Sequence, residues 1–428
     1  MKALLYFFAL LLYICSCNNN SVITDSGNEI ITVDLSKEYP RLDIKLSDLA
    51  DVSFIALEGR DSVNFLTDLN ELNGNICIDG DLLIIGDCLP SNGDIDSKSN
   101  NEIYLFDTCG HFLKSVGAGN KKANSMTSLK NMRVFPSENI IGIHNLIAEE
   151  QPIVFYDYMG NIVRIDTLDK TYYYSVPFGK NLVLYDHHSS HISMFTNKHI
   201  DRGRTINVYN IDTGVYESIE DIRYKNILNS NKQSANTHIY SSGDKVYISS
   251  PRTDTVYVLD KNLKITAQFK SKNSYKSDPE IQNIICPIIE TSEYIIFCNS
   301  MDYQSQVTKR FGFGNWIYVK KEAKIYCISD MGFLEYAASK DNSTYFNHLL
   351  NDKIFLTPKF NTQNSDILIC ALSPQSLKEN FTKLPSDLQK IADNLRVDDN
   401  PVLMVMKFRK KPAIFRILPS ASSPSKTL

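Results

Sequence analysis

Residues 101–117, NEIYLFDTCGHFLKSVG, constrain what this chain can fold into more than any other stretch. An apolar run ends in Asp-x-x-Gly, and a second alternating run begins at once. The Asp side chain bonds to nearby backbone and the Gly supplies the positive φ that closes a tight loop, so the stretch predicts a β-hairpin. The pattern returns at 153–166, and with altered turns at 206–219, 256–269 and 324–336. Asp107, Asp157, Asp212, Asp260 and Asp330 open these turns, at intervals of 50, 55, 48 and 70 residues. Recurrence at a long, loose period belongs to a repeat architecture rather than to an active site.

Between the hairpins lie further short strands. ICI at 76–78 and LLII at 82–85 flank an Asp79-Gly80-Asp81 turn, and 132–135 and 140–143 flank Pro136-Ser137-Glu138-Asn139. Equivalent pairs are read at 172–185, 236–249 and 283–298, and a less complete sixth unit at 353–356 and 366–372. Four strands per repeat of about 50 residues match the blade of a β-propeller, and six such units fit the chain. The expected fold is therefore all-β, a six-bladed β-propeller of four-stranded antiparallel blades over 29–418, with a polar tail at 419–428. Near the end, Leu388, Ile391, Ala392 and Leu395 follow helical spacing behind Ser386-x-x-Gln389, which predicts one short capped helix. VLMVMKF at 402–408 reads as a last strand, and a strand from 30–58 is expected to join its blade, closing the ring without a bare edge.

The first residues differ from everything after them. Met1-Lys2 is followed by an uninterrupted apolar run to Ile14, then Cys15-Ser16-Cys17. About a dozen apolar residues are too few to span a hydrocarbon core of roughly 30 Å and match a secretory segment. The stretch resembles a bacterial lipoprotein signal peptide (1–16) with Cys17 as the lipid-attachment residue and 17–28 as a tether; the plainer alternative is an ordinary secretory peptide cut elsewhere. This implies a cell-envelope protein, lipid-anchored in the outer membrane and facing the periplasm, with surface display the alternative.

Net charge of −4 with interspersed signs offers no basic stripe, which argues against nucleic acid as a partner. The seven cysteines after Cys17 form no Cys-x-x-Cys, and most sit in apolar runs, where they read as small buried side chains rather than a disulfide framework. His187, His188 and His191 are the densest group of metal-ligand types, but neighbours on a strand face opposite ways and no helical motif aligns them, so a solvated loop is the reading preferred over a metal site. Phe311, Phe313 and Trp316, in FGFGNW, are candidate ligand-facing aromatics, with loop or core packing as the plainer reading. No GxSxG elbow and no phosphate loop occur, no catalytic residue stands out, and no cofactor is implied.

LSDLADVSFIALEGRDSVNFLTDL from Leu46, the hairpin IYLFDTCGHFLKSVGAG and the ending DDNPVLMVMKF together resemble the six-bladed β-propeller lipoproteins of gut-type Gram-negative bacteria. The similarity spans essentially the whole mature chain. Relatives carry Pro-Gly-Glu in the loop after the first hairpin, and Asn120–Ser128 departs from it. The family has no common activity, so the resemblance implies architecture and address. Two functions fit: a membrane-tethered scaffold that binds a protein or glycan of the envelope, or an envelope hydrolase or lyase acting on a glycan or small ester at the channel mouth.

Overall fold

The computed structural model describes residues 30–34, 37, 39–43, 46–59, 76–86, 103–116, 132–144, 152–168, 174–185, 205–220, 238–249, 254–272, 285–299, 316–329, 335–338, 344–347, 355–356, 358–360, 366–379, 381–410 and 416–417. Six antiparallel blades are arranged as a propeller. In blades 1 to 5 the four strands follow chain order from the inside out. Blade 1, for example, runs Ile76–Asp79, Leu82–Gly86, Ile103–Asp107 and Phe112–Val116. Blade 6 is built from both ends of the chain: Pro358–Phe360, Ile367–Leu372 and Val402–Phe408 are completed by an N-terminal strand, Ala50–Ala56. That strand pairs along its whole length, from Val402 opposite Ala56 to Phe408 opposite Ala50. The ring closure expected from the sequence is present.

The core lies between blades. Six apolar clusters fill six seams. Seam 2/3 holds Phe135 and Phe155 against Leu182, Leu184 and Tyr209, and seam 3/4 holds Val176 and Val208 against Val246 and Leu259. Strand residues alternate between the two neighbouring seams, so both faces of a blade are buried. This explains the continuous apolar runs: Leu83, Ile84 and Ile85 are all fully buried, with Ile84 facing blade 2 and its two neighbours facing blade 6.

Two further N-terminal strands run round the rim. Calling the three in order β1 (Ile31–Asp34), β2 (Arg41–Asp43) and β3 (Ala50–Ala56), β1 adds in parallel to the outer strand of blade 4, with Ile31 opposite Phe269. β2 adds in parallel to the outer strand of blade 5, and Arg416–Ile417 adds antiparallel to β2. Blades 4 and 5 are therefore larger than the expected four strands. Val33 and Leu42, one from each added strand, are fully buried.

Three local expectations are corrected. The outer hairpin of blade 5 is Trp316–Val319 with Lys324–Ser329, and 324–336 is not a hairpin. Its turn is a short 3-10 segment, Lys320–Glu322, closed by Ala323 in the left-handed region, so no Asp or Gly marked it. The sixth unit starts at Pro358–Phe360, and Phe355–Leu356 belongs instead to a separate three-stranded sheet with Glu335–Ala338 and Thr344–Asn347. The helix Ser386–Asn394 buries Leu388 and Ala392 as expected, but Ser386 lies inside it, the cap position is Pro385, and Gln389 donates to the Leu384 carbonyl at 2.9 Å. A second, shorter helix, Pro374–Glu379, precedes it.

Candidate functional site

In blades 1 to 4 each outer hairpin turn is built around one side chain. Asp107 Oδ1 accepts the N–H groups of Cys109 and His111, both at 2.9 Å. Asp157 does the same for Asn161, and Asp260 for Asn262 and Lys264. In blade 3 the residue in this role is Asn210, which accepts from Asp212 and Thr213. The sequence reading had placed Asp212 there. With Asn210 in its place, the first four turns open at 107, 157, 210 and 260, a tighter repeat of 50, 53 and 50 residues. Asp330 lies outside the described residues.

These turns also dock the blades. Gly110 of blade 1 lies against the end of β3, Gly160 of blade 2 against Val116 of blade 1, and Gly214 of blade 3 beside Arg164 of blade 2. At the ring closure, Glu58 N–H donates to the Gly110 carbonyl at 2.9 Å and Phe112 N–H donates to Glu58 Oε2 at 2.9 Å. The buried Asn400 holds the Glu58 carbonyl from the other side at 3.0 Å. His111 Nδ1 lies 2.8 Å from Asp107 Oδ2 at this corner. The hydrogen bond to Asp107 raises the imidazole above its ordinary value, and the same bond lowers the carboxyl.

The polar clusters that bridge neighbouring blades follow the seams. Between blades 1 and 2, Tyr158 donates to Asp79 at 2.5 Å. Between blades 2 and 3, Arg164 contacts Asp166 at 2.5 Å and bonds to Tyr209, whose hydroxyl donates to the same carboxylate. The Arg164 guanidinium lies 5.3 Å from the Phe155 ring centroid, a cation–π distance. Burial of Tyr209 holds its hydroxyl in the neutral form, and the adjacent Asp166 carboxylate adds to that. Lys180 of blade 3 reaches Glu138 of blade 2 at 3.3 Å and Asp212 at 2.9 Å. Between blades 4 and 5, Glu290 takes Lys245 at 2.9 Å and Lys320 at 2.8 Å.

Seam 2/3 also carries a polar pair on the innermost strands of two blades. Arg133, on the innermost strand of blade 2, donates through Nε to the Ser175 carbonyl on the innermost strand of blade 3 at 2.5 Å. The Ser175 hydroxyl is buried and has no hydrogen-bond partner among the described residues. A buried hydroxyl of this kind is uncommon and marks a place where a small polar group could be accepted. Sequence reading missed both residues, because a lone Arg and a lone Ser on separate strands have no motif.

Of the residues singled out in the sequence, Trp316 packs in seam 4/5 with Tyr247, Phe269 and Phe297, and is 9% exposed. Cys17, His187, His188, His191, Phe311 and Phe313 lie outside the described residues. Among the described residues no group of three His, Cys, Asp or Glu side chains could hold a metal ion. Cys77 is buried and its thiol is pushed up to about 12 by desolvation; Cys109 is exposed. The register sets Cys286 opposite Cys298 in blade 5.

No family model matches the chain, and no curated protein matches it. Among solved structures, a Bacteroides fragilis protein described as exported is similar with a TM-score of 0.55 at 16% identity, covering 89% of this chain and 100% of that one. The likeness shows the fold alone. A member of the DUF4221 family from Bacteroides vulgatus is similar at a TM-score of 0.43 and 10% identity, over 85% and 98% of the two chains. A virginiamycin B lyase from Staphylococcus aureus gives 0.41 and 8%, over 83% and 99%. A propeller hosts many unrelated activities, so what this one does has to be argued from its residues.

Proposed function

We propose that this chain is an envelope lipoprotein, acylated at Cys17 and held to the outer membrane, whose propeller is a scaffold for binding a protein or glycan. The observation that carries the scaffold reading is where the charge goes. The half-buried ionic and tyrosine–carboxylate clusters at seams 1/2, 2/3 and 4/5 tie one blade to the next. Groups held that way stiffen a ring that presents its loops, as binding propellers do. The address rests on the apolar run and Ser16-Cys17. Replacing Cys17 with Ala is expected to abolish acyl labelling and release the protein from membranes; unchanged labelling refutes the anchor. Crosslinked co-purification from native envelopes is expected to return a stoichiometric partner, and a chain recovered without protein or glycan refutes the scaffold.

One observation favours the second reading, an envelope hydrolase or lyase: the buried Ser175 hydroxyl beside Arg133 near the channel. An Arg and a hydroxyl suit a carboxylate or ester oxygen. Turnover of a glycan or ester panel that is lost in Ser175→Ala, with the fold intact, supports it; no turnover on any of them rejects it.

A further inference from the structure

The rim of the propeller is uneven. The outer strands of blades 4 and 5 are covered by β1 and β2. Of the exposed large hydrophobic side chains among the described residues, Leu113, Met159, Val163, Ile165 and Val215 lie on blades 1, 2 and 3, Val52 lies on β3 and Val397 follows the helix Ser386–Asn394, and none lies on blades 4 or 5. Those on blades 1 to 3 are neighbours in space: Met159 Sδ is 3.4 Å from Lys114 Nζ of blade 1, and Gly214, next to Val215, lies beside Arg164 of blade 2. The centre of this patch is the outer strand of blade 2, Ile162–Thr167. No strand pairs with its outer edge among the described residues.

Edge strands in soluble proteins are usually guarded by a charge or a proline pointing outward. Here the outward positions are Val163 at 55% exposure, Ile165 at 56% and Thr167, with no charge among them; the strand's charges, Arg164 and Asp166, turn to Tyr209 of blade 3, and a bulge interrupts its inner pairing beside Val163. Blade 3, by contrast, exposes Glu217 on its outer strand. The edge is also self-complementary. In an antiparallel pairing with itself centred on Ile165, that residue meets its own copy and Val163 meets Thr167. Arg164 then meets Asp166 of the partner subunit on the inner face, twice, and opposite charges directly across a ladder stabilise it. Centring on Arg164 or on Asp166 would instead set like charges opposite each other, which is unfavourable.

We infer that the outer edge of blade 2 is a homodimer surface, on which the Ile162–Thr167 strands of two copies pair antiparallel about Ile165. The contact is isologous and closed, so it yields a two-fold dimer and leaves no edge for a filament. It uses the same device the chain applies to its own rim, where β1 and β2 add to the outer strands of blades 4 and 5.

The test is cysteine crosslinking in cells with the full-length chain, in a Cys109→Ser background that removes the native thiol exposed among the described residues and itself serves as the control. Ile165→Cys places a thiol on the two-fold axis and is expected to give a disulfide-linked dimer on a non-reducing gel. Val215→Cys, equally exposed but off the axis, is expected to stay at background. Light scattering of the purified full-length protein is expected to give a dimer mass, and Ile165→Lys, a surface change that spares the core, to weaken association at least about tenfold. A monomeric wild-type protein overturns the inference. So does a dimer whose mass is unaffected by Ile165→Lys, or equal crosslinking of the Ile165→Cys and Val215→Cys variants.

Discussion

Gly110 has φ +93°, and a Cβ built there would clash with the Ala56 carbonyl oxygen and lie 3.0 Å from Ile55 Cγ2. Two demands meet at one residue, a left-handed backbone and a close approach to β3. Gly80 has the first demand only, with φ +56° and nothing within 4 Å of its built Cβ. Gly110→Ala is therefore expected to cost about 3 kcal/mol or more and to loosen the ring closure, against about 1–2 kcal/mol for Gly80→Ala. Chemical denaturation of the two variants checks this, and equal losses would remove the docking role of the turn. His111 sits at the same corner. Its value is raised in the folded chain, so its contribution is complete below the unfolded value and is lost as pH rises through the folded one. An NMR titration is expected to place His111 above an ordinary histidine and Asp107→Asn to bring it back down.

At the scale of single elements, turn chemistry decides which hairpins can be found. Blades 1 and 2 use Asp with Gly, blade 3 uses Asn210 with Gly214, and blade 4 uses Asp260 with Leu263 at φ +59°. Blade 5 uses neither, closing its turn with Ala323 at φ +51°. Alanine in that region carries a cost of about 1–2 kcal/mol that glycine avoids, offset in part by glycine's greater freedom in the unfolded chain. Ala323→Gly, at an exposed position, is expected to raise stability by up to about 1 kcal/mol in a thermal melt; a fall would mean that the turn relies on the methyl group. The missing signal at this turn is also why residues 324–336 read as a hairpin and Trp316 read as part of an insert. Trp316 begins a strand whose four residues, WIYV, are nearly all buried. A short apolar run beside glycines does not distinguish a strand from a packed loop.

On the scale of the whole molecule, the N-terminal segment does more than close the ring. β1, β2 and β3 visit blades 4, 5 and 6 in turn, so one stretch of chain fastens half the rim. Leu42 is fully buried although β2 has three residues. Leu42→Ala is expected to cost about 2–5 kcal/mol, a core-sized loss from a rim strand. A loss typical of surface residues, within about 0.5 kcal/mol, would show that β2 is only laid against blade 5.

The sequence by itself determined the blade: its strands, its turn aspartates, its approximate period and the strand exchange at the two ends. These follow from local rules, since a turn needs a particular backbone and a strand buried on both faces needs a run of apolar residues. Residues 101–117 were legible because every instruction they carry is local. The tertiary structure alone decided what lies across the seams. Arg133 meets Ser175, Gly110 meets β3, and β1 and β2 find blades 4 and 5. Each of these contacts joins residues that only the closing of the ring brings together. A single sequence holds no local signal for a partner on another blade.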